Sequence, residues 1–470
     1  EDYLAGYGEE MRFRMLTMTP KKIAEICGGT YYGDRNLATK EITGVVTDNR
    51  QVTEGGMFVA IKGAKVDGNR FVPAAYESGA LCCMSEDEPG EQKKAYIQVK
   101  DCLQAIKDMA AYYRTICTLP IVGITGSVGK TTTKEMLASV LSTHFNILKT
   151  LGNFNNELGM PLTLLRLREE HEAAIVEMGI SDFGEMSRMT AIARPDMCVI
   201  TNIGCCHLEQ LGDRDGVLKA KTEIFQGMKE GGTVFLNGDD DKLITVTQVH
   251  GKRPVFFGLN DNNDVHPLKI TSKGLSGTDV TVQTSRGTLQ ITIPVPGRHM
   301  ITNALAAVAV GQQMGLSDEE IVQGIAAFRP VDGHGSVFVT EHFTIMDDCY
   351  NANPVSMQAG VRLLSEVPER KVAILGDMFE LGAEEEKLHY ETGRYVAGCG
   401  LDQIICIGTL AKQYLAGITD VDPSANVIWF ATLEEAMAKL PDLLKEQDAI
   451  LVKASHGMHF EKIVAYFREM

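Results

Sequence analysis

Gly126, Gly129, Lys130 and Thr131 crowd into the middle of PIVGITGSVGKTTTKEMLASVLSTH, the stretch from Pro120 to His144. Glycines let a turn expose consecutive backbone N–H groups, a lysine adds a positive point charge, and a threonine hydroxyl can complete the coordination of Mg2+. The short apolar run before them and the amphipathic run after them predict a strand, a tight turn and a helix whose N-terminus faces the turn. Such a convergence of N–H groups and an ammonium suits a polyphosphate. The strict P-loop spacing requires glycine at 124, where isoleucine stands. The pattern here is GxxGxxGKT, beginning at Gly123. A glycine-rich junction alone could be only a tight connection; the adjoining Lys-Thr pair makes phosphate binding the reading.

Other polar residues stand where apolar runs end. AAIVEMG places Glu177 at the end of one such run, and MCVITNIG leads into CCHLEQLG with His207. Ligands of parallel sheets bind beyond the carboxyl ends of the strands, so these two residues join Thr131 as candidate ligands around a Mg2+–nucleotide. Singly, Glu177 could cap a helix and His207 could be a core histidine. Lys219 and Lys221 follow in GDRDGVLKAKTEIF at i, i+2, on different faces of a helix, and residue type does not choose between them. TLGNFNNELG gathers Asn153, Asn155 and Asn156, which either present amides to a polar ligand or serve turn chemistry. DDCYNANP, Asp347 to Pro354, is equally dense in short polar side chains after the strand-like FTIM.

These residues need a frame, and the remaining sequence supplies one. A chain of 470 residues exceeds one core and suggests about three domains. Residues 11–118 form a first block, with short apolar runs (ITGVVT, GMFVAI) and a helix predicted over Cys102–Thr115. Residues 119–330 form a second, with strands predicted at Ile121–Thr125, Ala173–Val176, Met197–Thr201 and Thr233–Leu236, a β-rich stretch at 252–296, and an alanine-rich helix in PGRHMITNALAAVAVGQQM. Residues 331–470 form a third, with strands at Thr344–Met346, Val372–Leu375, Gln403–Ile407 and Ile450–Val452; it is of dinucleotide-fold type without GxGxxG. Strand–helix alternation predicts an α/β protein with parallel sheets covered by helices. Residues 1–10, ahead of Met11, differ in character from the rest and belong to none of the three blocks. The net charge of −17 argues against a nucleic-acid or anionic-membrane surface. Eleven cysteines without a CxxC pair describe neither a disulfide framework nor a zinc site, which fits a reducing cytoplasm. No apolar run reaches eighteen residues, so no membrane span is expected.

At these residues the sequence resembles the Mur ligase family of ATP-dependent amide-forming enzymes, from about Met11 to Met470. ITGSVGKTTTKEM, IVEMG, NIGCCHLEQLG…KAKTEIF and NALAA occur in the family's order and spacing. The resemblance implies three domains: an N-terminal UDP-sugar-binding one, a central P-loop-type ATP-binding one, and a C-terminal Rossmann-like one that closes on the site. It implies that Gly126, Ser127, Val128, Gly129, Lys130, Thr131 and Thr132 hold ATP phosphates, with Thr131 on Mg2+. Glu177 and His207 would serve a second Mg2+. Lys221, fourteen residues after His207, matches the lysine that the family carbamylates, and a carbamate is an anionic oxygen ligand. Asn303 would lie by adenine. Asp348, Asn351 and Asn353 would lie near the nucleotide and the incoming amine. Thr47, Asp48 and Arg50 in TDNR, with FVAIKGAKVDGNRF, resemble the element that meets the UDP-sugar; Asn153, Asn155 and Asn156 would also face substrate.

Two segments narrow the implied activity. TLGNFNNELGMPLTLLRL and DDCYNANPVSM…LGDMFELG resemble the member that joins D-alanyl-D-alanine to UDP-N-acetylmuramoyl-tripeptide, which implies these substrates, a cytoplasmic monomer and no nucleic acid. Both segments argue against a sibling that adds a diamino acid and against a folate polyglutamylating relative. The UDP-sugar-like first block argues against a nucleotide switch without ligase activity, and Lys130, Glu177, His207 and Lys221 argue against an inactive scaffold. Five positions depart from the pattern: Asn49 for serine, Met300 for a second asparagine, His334 for an arginine, and Ala454 and His456 for glycine and arginine.

Overall fold

The computed structural model describes residue 15 and residues 17–63, 66–90 and 94–470. The segment 1–10, the expected start of the first block at Met11, and Ala64–Lys65 of FVAIKGAKVDGNRF lie outside the described residues.

The central sheet explains where the chemistry gathers. Its six strands run in the order Val255–Phe257, Thr233–Asn237, Met197–Ile200, Ile121–Thr125, Ala173–Glu177 and Ile147–Lys149. Every neighbouring pair is parallel. Ile121–Thr125, Ala173–Glu177 and Met197–Ile200 are buried at every residue, as unbroken apolar runs in a parallel sheet covered on both faces should be. The chain enters at Ile121–Thr125, crosses to the edge at Ile147–Lys149, comes back inward with Ala173–Glu177, then adds Met197–Ile200 on the other side of the first strand. That reversal leaves a crevice at the carboxyl ends of the two strands, where Gly126 and Thr201 begin their loops.

The third block repeats the device. Its sheet runs Ser336–Val339, Thr344–Asp348, Ala449–Lys453, Lys371–Gly376, Gln403–Ile407 and Val427–Phe430, parallel except for the first, antiparallel edge strand. Register pairs Asp348 with Lys453, so both side chains emerge at adjacent strand ends. The first block holds a five-stranded sheet in which only Thr30–Tyr32 is antiparallel. Between 266 and 293 the β-rich stretch becomes a three-stranded antiparallel sheet. Thr278–Thr284 alternates buried with half-buried residues there, and its buried valines join the core around helix Arg298–Gln313. The expected strands appear within two residues of their bounds. Ile147–Lys149, Ser336–Val339 and Val427–Phe430 carry no strong sequence signal: each is short and lies at or next to a sheet edge.

Candidate active site

The glycine-rich turn forms because two positions admit no side chain or need a left-handed backbone. A Cβ on Gly126 would lie 1.9 Å from the Thr201 hydroxyl oxygen, so the turn packs directly on the neighbouring strand end. Gly129 has φ +79 and caps helix Lys130–Leu141 without any side chain occupying its first N–H groups. Those donors stay available to an anion. Two residues that sequence reasoning passed over, Thr201 and Asn202, hold the turn. The Thr201 hydroxyl donates to the Val128 carbonyl at 2.6 Å, and the Asn202 carboxamide oxygen accepts from Val128 N–H at 2.9 Å. Lys130 bends its ammonium onto the Gly126 carbonyl at 2.9 Å, within the turn.

Glu177 ends its strand 1 % exposed. Its carboxylate accepts from the Thr131 hydroxyl at 3.0 Å and from the Asn155 amide at 2.9 Å. The equally buried Lys134 ammonium stands 3.5 Å away. A hydroxyl and a carboxyl group beside a phosphate turn are hard oxygen donors of the kind Mg2+ takes. Among the described residues, no three His, Cys, Asp or Glu side chains converge into a ready metal cluster.

Lys219 and Lys221 separate sharply. Lys219 is exposed, its ammonium 5.4 Å from the Phe183 ring. Lys221 is 1 % exposed, and burial, with the charge of nearby Lys130, pushes its ammonium down to about 8. Near neutral pH it therefore offers more free amine than a surface lysine, and free amine is the form that captures CO2. His207 heads the short helix Leu208–Leu211 with φ +51, its Nδ1 3.1 Å from the Glu380 carboxylate of the third block.

A cavity of about 340 Å3 lies between the second and third blocks. Ser127, Val128, Gly129, Lys130, Thr131 and Thr132 form one wall, joined by Asn155, Glu177 and Asn303. Asp348, Asn351 and Asn353 face them from the third block, beside His334 and Tyr350. Lys453, which sequence reasoning also passed over, is 1 % exposed and binds Asp348 at 2.5 Å and the Asn351 carbonyl at 3.0 Å. Only its position at a strand end could have marked it. A shallower groove of about 380 Å3 beside Lys219 holds no phosphate-turn residue.

The remaining expected residues stand elsewhere. Thr47, Asp48, Arg50, Asn153, Asn156, His207 and Lys221 are not on the wall of this cavity. Asp48 caps the turn Asn49–Gln51 and pairs with Arg50 at 2.6 Å, which holds its carboxyl below the usual range. The Asn156 side chain accepts from the N–H groups of Leu158 and Gly159, the turn chemistry that its residue type also allowed. Asn353 caps helix Pro354–Ser365 in a reciprocal box with Ser356. Asn353→Ala should therefore lose about 1 kcal/mol of stability in a denaturant titration, besides any effect on substrate.

Four departures are absorbed locally. Met300 offers its sulfur to the Asn303 amide at 3.7 Å, while the Asn303 oxygen accepts from Thr133. Ala454 is buried against Gly376, where a Cβ would come within 2.6 Å of the alanine methyl. His334 and His456 both lie against Tyr350, with ring centroids at 4.2 and 5.2 Å. Burial holds His334 below its ordinary range. Nothing in the structure explains Asn49.

Three family descriptions match the chain in succession: the Mur ligase catalytic domain over residues 41–114, the Mur ligase middle domain over 124–311, and the Mur ligase glutamate ligase domain over 336–456. The UDP-N-acetylmuramoyl-tripeptide–D-alanyl-D-alanine ligase of Bacillus subtilis is 35 % identical over 96 % of this chain and 98 % of its own. This chain belongs to the Mur ligase family. Among solved Mur ligases, MurF from Acinetobacter baumannii superposes with a TM-score of 0.88 at 32 % identity, covering 96 % of this chain and 99 % of that one. MurF ligase from Thermotoga maritima, solved in complex with ADP, gives 0.79 at 27 % identity over 91 % and 97 %. The α/β architecture read from this Mur ligase's sequence is thereby borne out, and among its described residues no helix is long and apolar enough to cross a membrane.

Proposed function

We propose that this Mur ligase joins D-alanyl-D-alanine to UDP-N-acetylmuramoyl-tripeptide at the expense of ATP, in the cytoplasm and as a monomer. Its units would be 11–118, 119–330 and 331–470. The observation that carries the reading is the cavity in which a phosphate turn from one block faces polar strand ends from another.

The terminal carboxylate of the tripeptide attacks the γ-phosphorus, the bond to the β-phosphate oxygen breaks, and ADP leaves an acyl phosphate behind. The dipeptide amine then attacks that carbonyl, losing its proton as phosphate departs and the amide forms. Two anions must meet in the first step, so neutralising charge is the main task. Lys130 and the open N–H groups of its helix answer the phosphates, with Gly126 to Thr132 shaping their cradle. Thr131 and Glu177 would hold one Mg2+, and Glu177, His207 and carbamylated Lys221 the other; bound Mg2+ supplies charge neutralisation and a template for the two oxygens. Asn303 would meet adenine. Asp348, Asn351 and Asn353 would position the nucleotide and the dipeptide, and Thr47, Asp48, Arg50, Asn153, Asn155 and Asn156 the UDP-sugar side. Acyl phosphates hydrolyse in water, so the third block's place against the cavity serves to exclude it.

The test is phosphate release and product mass with ATP, D-alanyl-D-alanine and each tripeptide precursor, carrying diaminopimelate or lysine at its third position. A product heavier by the dipeptide less water supports the reading. Phosphate release with a single amino acid and none with the dipeptide would replace it by a sibling ligase.

A further inference from the structure

His207 and Glu380 face each other across two blocks, and both adopt a backbone that non-glycine residues rarely take, at φ +51 and +62. Such conformations persist where the surroundings hold them. A second contact lies beside them: a Cβ on Gly382 would sit 3.6 Å from the backbone nitrogen of Glu209, in the helix that His207 heads. The Glu380 side chain is 69 % exposed, so packing does not account for its direction. Its oxygen nonetheless stands 3.1 Å from His207 Nδ1.

A neutral imidazole carries hydrogen on one nitrogen and a lone pair on the other. A carboxylate oxygen near Nδ1 repels a lone pair and attracts N–H, so it selects the form with hydrogen on Nδ1. That leaves Nε2 as the electron-pair donor, the arrangement in which histidines commonly hold metals against a carboxylate. We propose that Glu380 is a positioning residue for His207, supplied by the third block, so that docking of that block turns Nε2 into a competent ligand. The inference rests on the ligase reading, in which His207 serves a cation. By linkage, the ion and the docked arrangement then strengthen each other.

The experiment uses the full chain labelled with 15N-histidine, with ADP and EDTA, at a pH where the ring is neutral. His207→Gln assigns the signals. His207 should show a protonated Nδ1 and a bare Nε2, and Glu380→Ala should move the population toward hydrogen on Nε2. In a parallel titration with ADP, Glu380→Ala should weaken the weaker Mn2+ site, read by electron paramagnetic resonance, roughly 10–100-fold. Glu380→Gln, whose amide can accept from Nδ1–H or donate to a bare Nδ1, should fall between the parent chain and Glu380→Ala in both readouts. Unchanged nitrogen shifts and unchanged Mn2+ affinity in Glu380→Ala would overturn the proposal. Failure of the ligase reading would instead appear as no amide product from the parent chain, whatever its tautomer.

Discussion

Lys221→Ala is expected to slow acyl phosphate formation about 10²–10³-fold, the scale seen when one preorganised electrostatic group is lost. Added acetate or formate should restore part of the rate by placing a carboxylate where the carbamate would stand. Lys219→Ala is the control, because that side chain is exposed beside Phe183 and should leave the rate near the parent's. The same lysine gives a pH dependence with a definite sign. CO2 adds to free amine and not to ammonium, and burial brings Lys221 down to about 8. At fixed CO2 pressure, carbamate stripped from the protein should therefore return about tenfold more slowly for each pH unit below 8, and level off above it. Reactivation measured by phosphate release reads this directly. If Lys219→Ala were the variant rescued by carboxylates, the carbamate would belong to the other lysine.

Lys130→Met should be costlier still, about 10³-fold or more in kcat, since cations placed on a transferring phosphoryl group contribute on that scale. The ammonium already rests on the Gly126 carbonyl, inside the turn, so it is positioned before any phosphate arrives. Methionine keeps the length and the apolar stem while removing the charge. ATP affinity by calorimetry should fall less than kcat, because the remaining N–H groups of helix Lys130–Leu141 still face the ligand. A loss confined to affinity would mean that Lys130 only anchors ground-state phosphates.

Much of this was legible in the sequence because buried parallel strands announce themselves. Ile121–Thr125 and Gln403–Ile407 are mostly apolar and buried at every residue, and their expected bounds coincide with the observed ones. The phosphate turn was equally legible, since glycine, lysine and threonine at that spacing serve few other purposes. Lys453 and Lys134 were not, because a lysine in a sequence carries no sign of its burial; only register places Lys453 opposite Asp348, and only the fold brings Lys134 to Glu177. Asn156 misled for the opposite reason: one amide can serve a ligand or a turn, and the local N–H groups of Leu158 and Gly159 were the nearer partners. Glu380 lay inside the quoted LGDMFELG, but its partner is 173 positions away, beyond any local pattern.

The Asp348–Lys453 pair has one more consequence. Lys453 is buried and spends its charge on Asp348 and the Asn351 carbonyl, so the strand ends that the third block turns toward the phosphates are close to electrically neutral. The turn side is not, with Lys130 and a helix N-terminus open to the same space. Ionic strength screens exposed charges over about 8 Å at physiological salt, so it should act on the two events unequally. Nucleotide capture by the second block should weaken as salt rises, while docking of the third block, whose Asp348 is already met by Lys453 from its own sheet, should respond less.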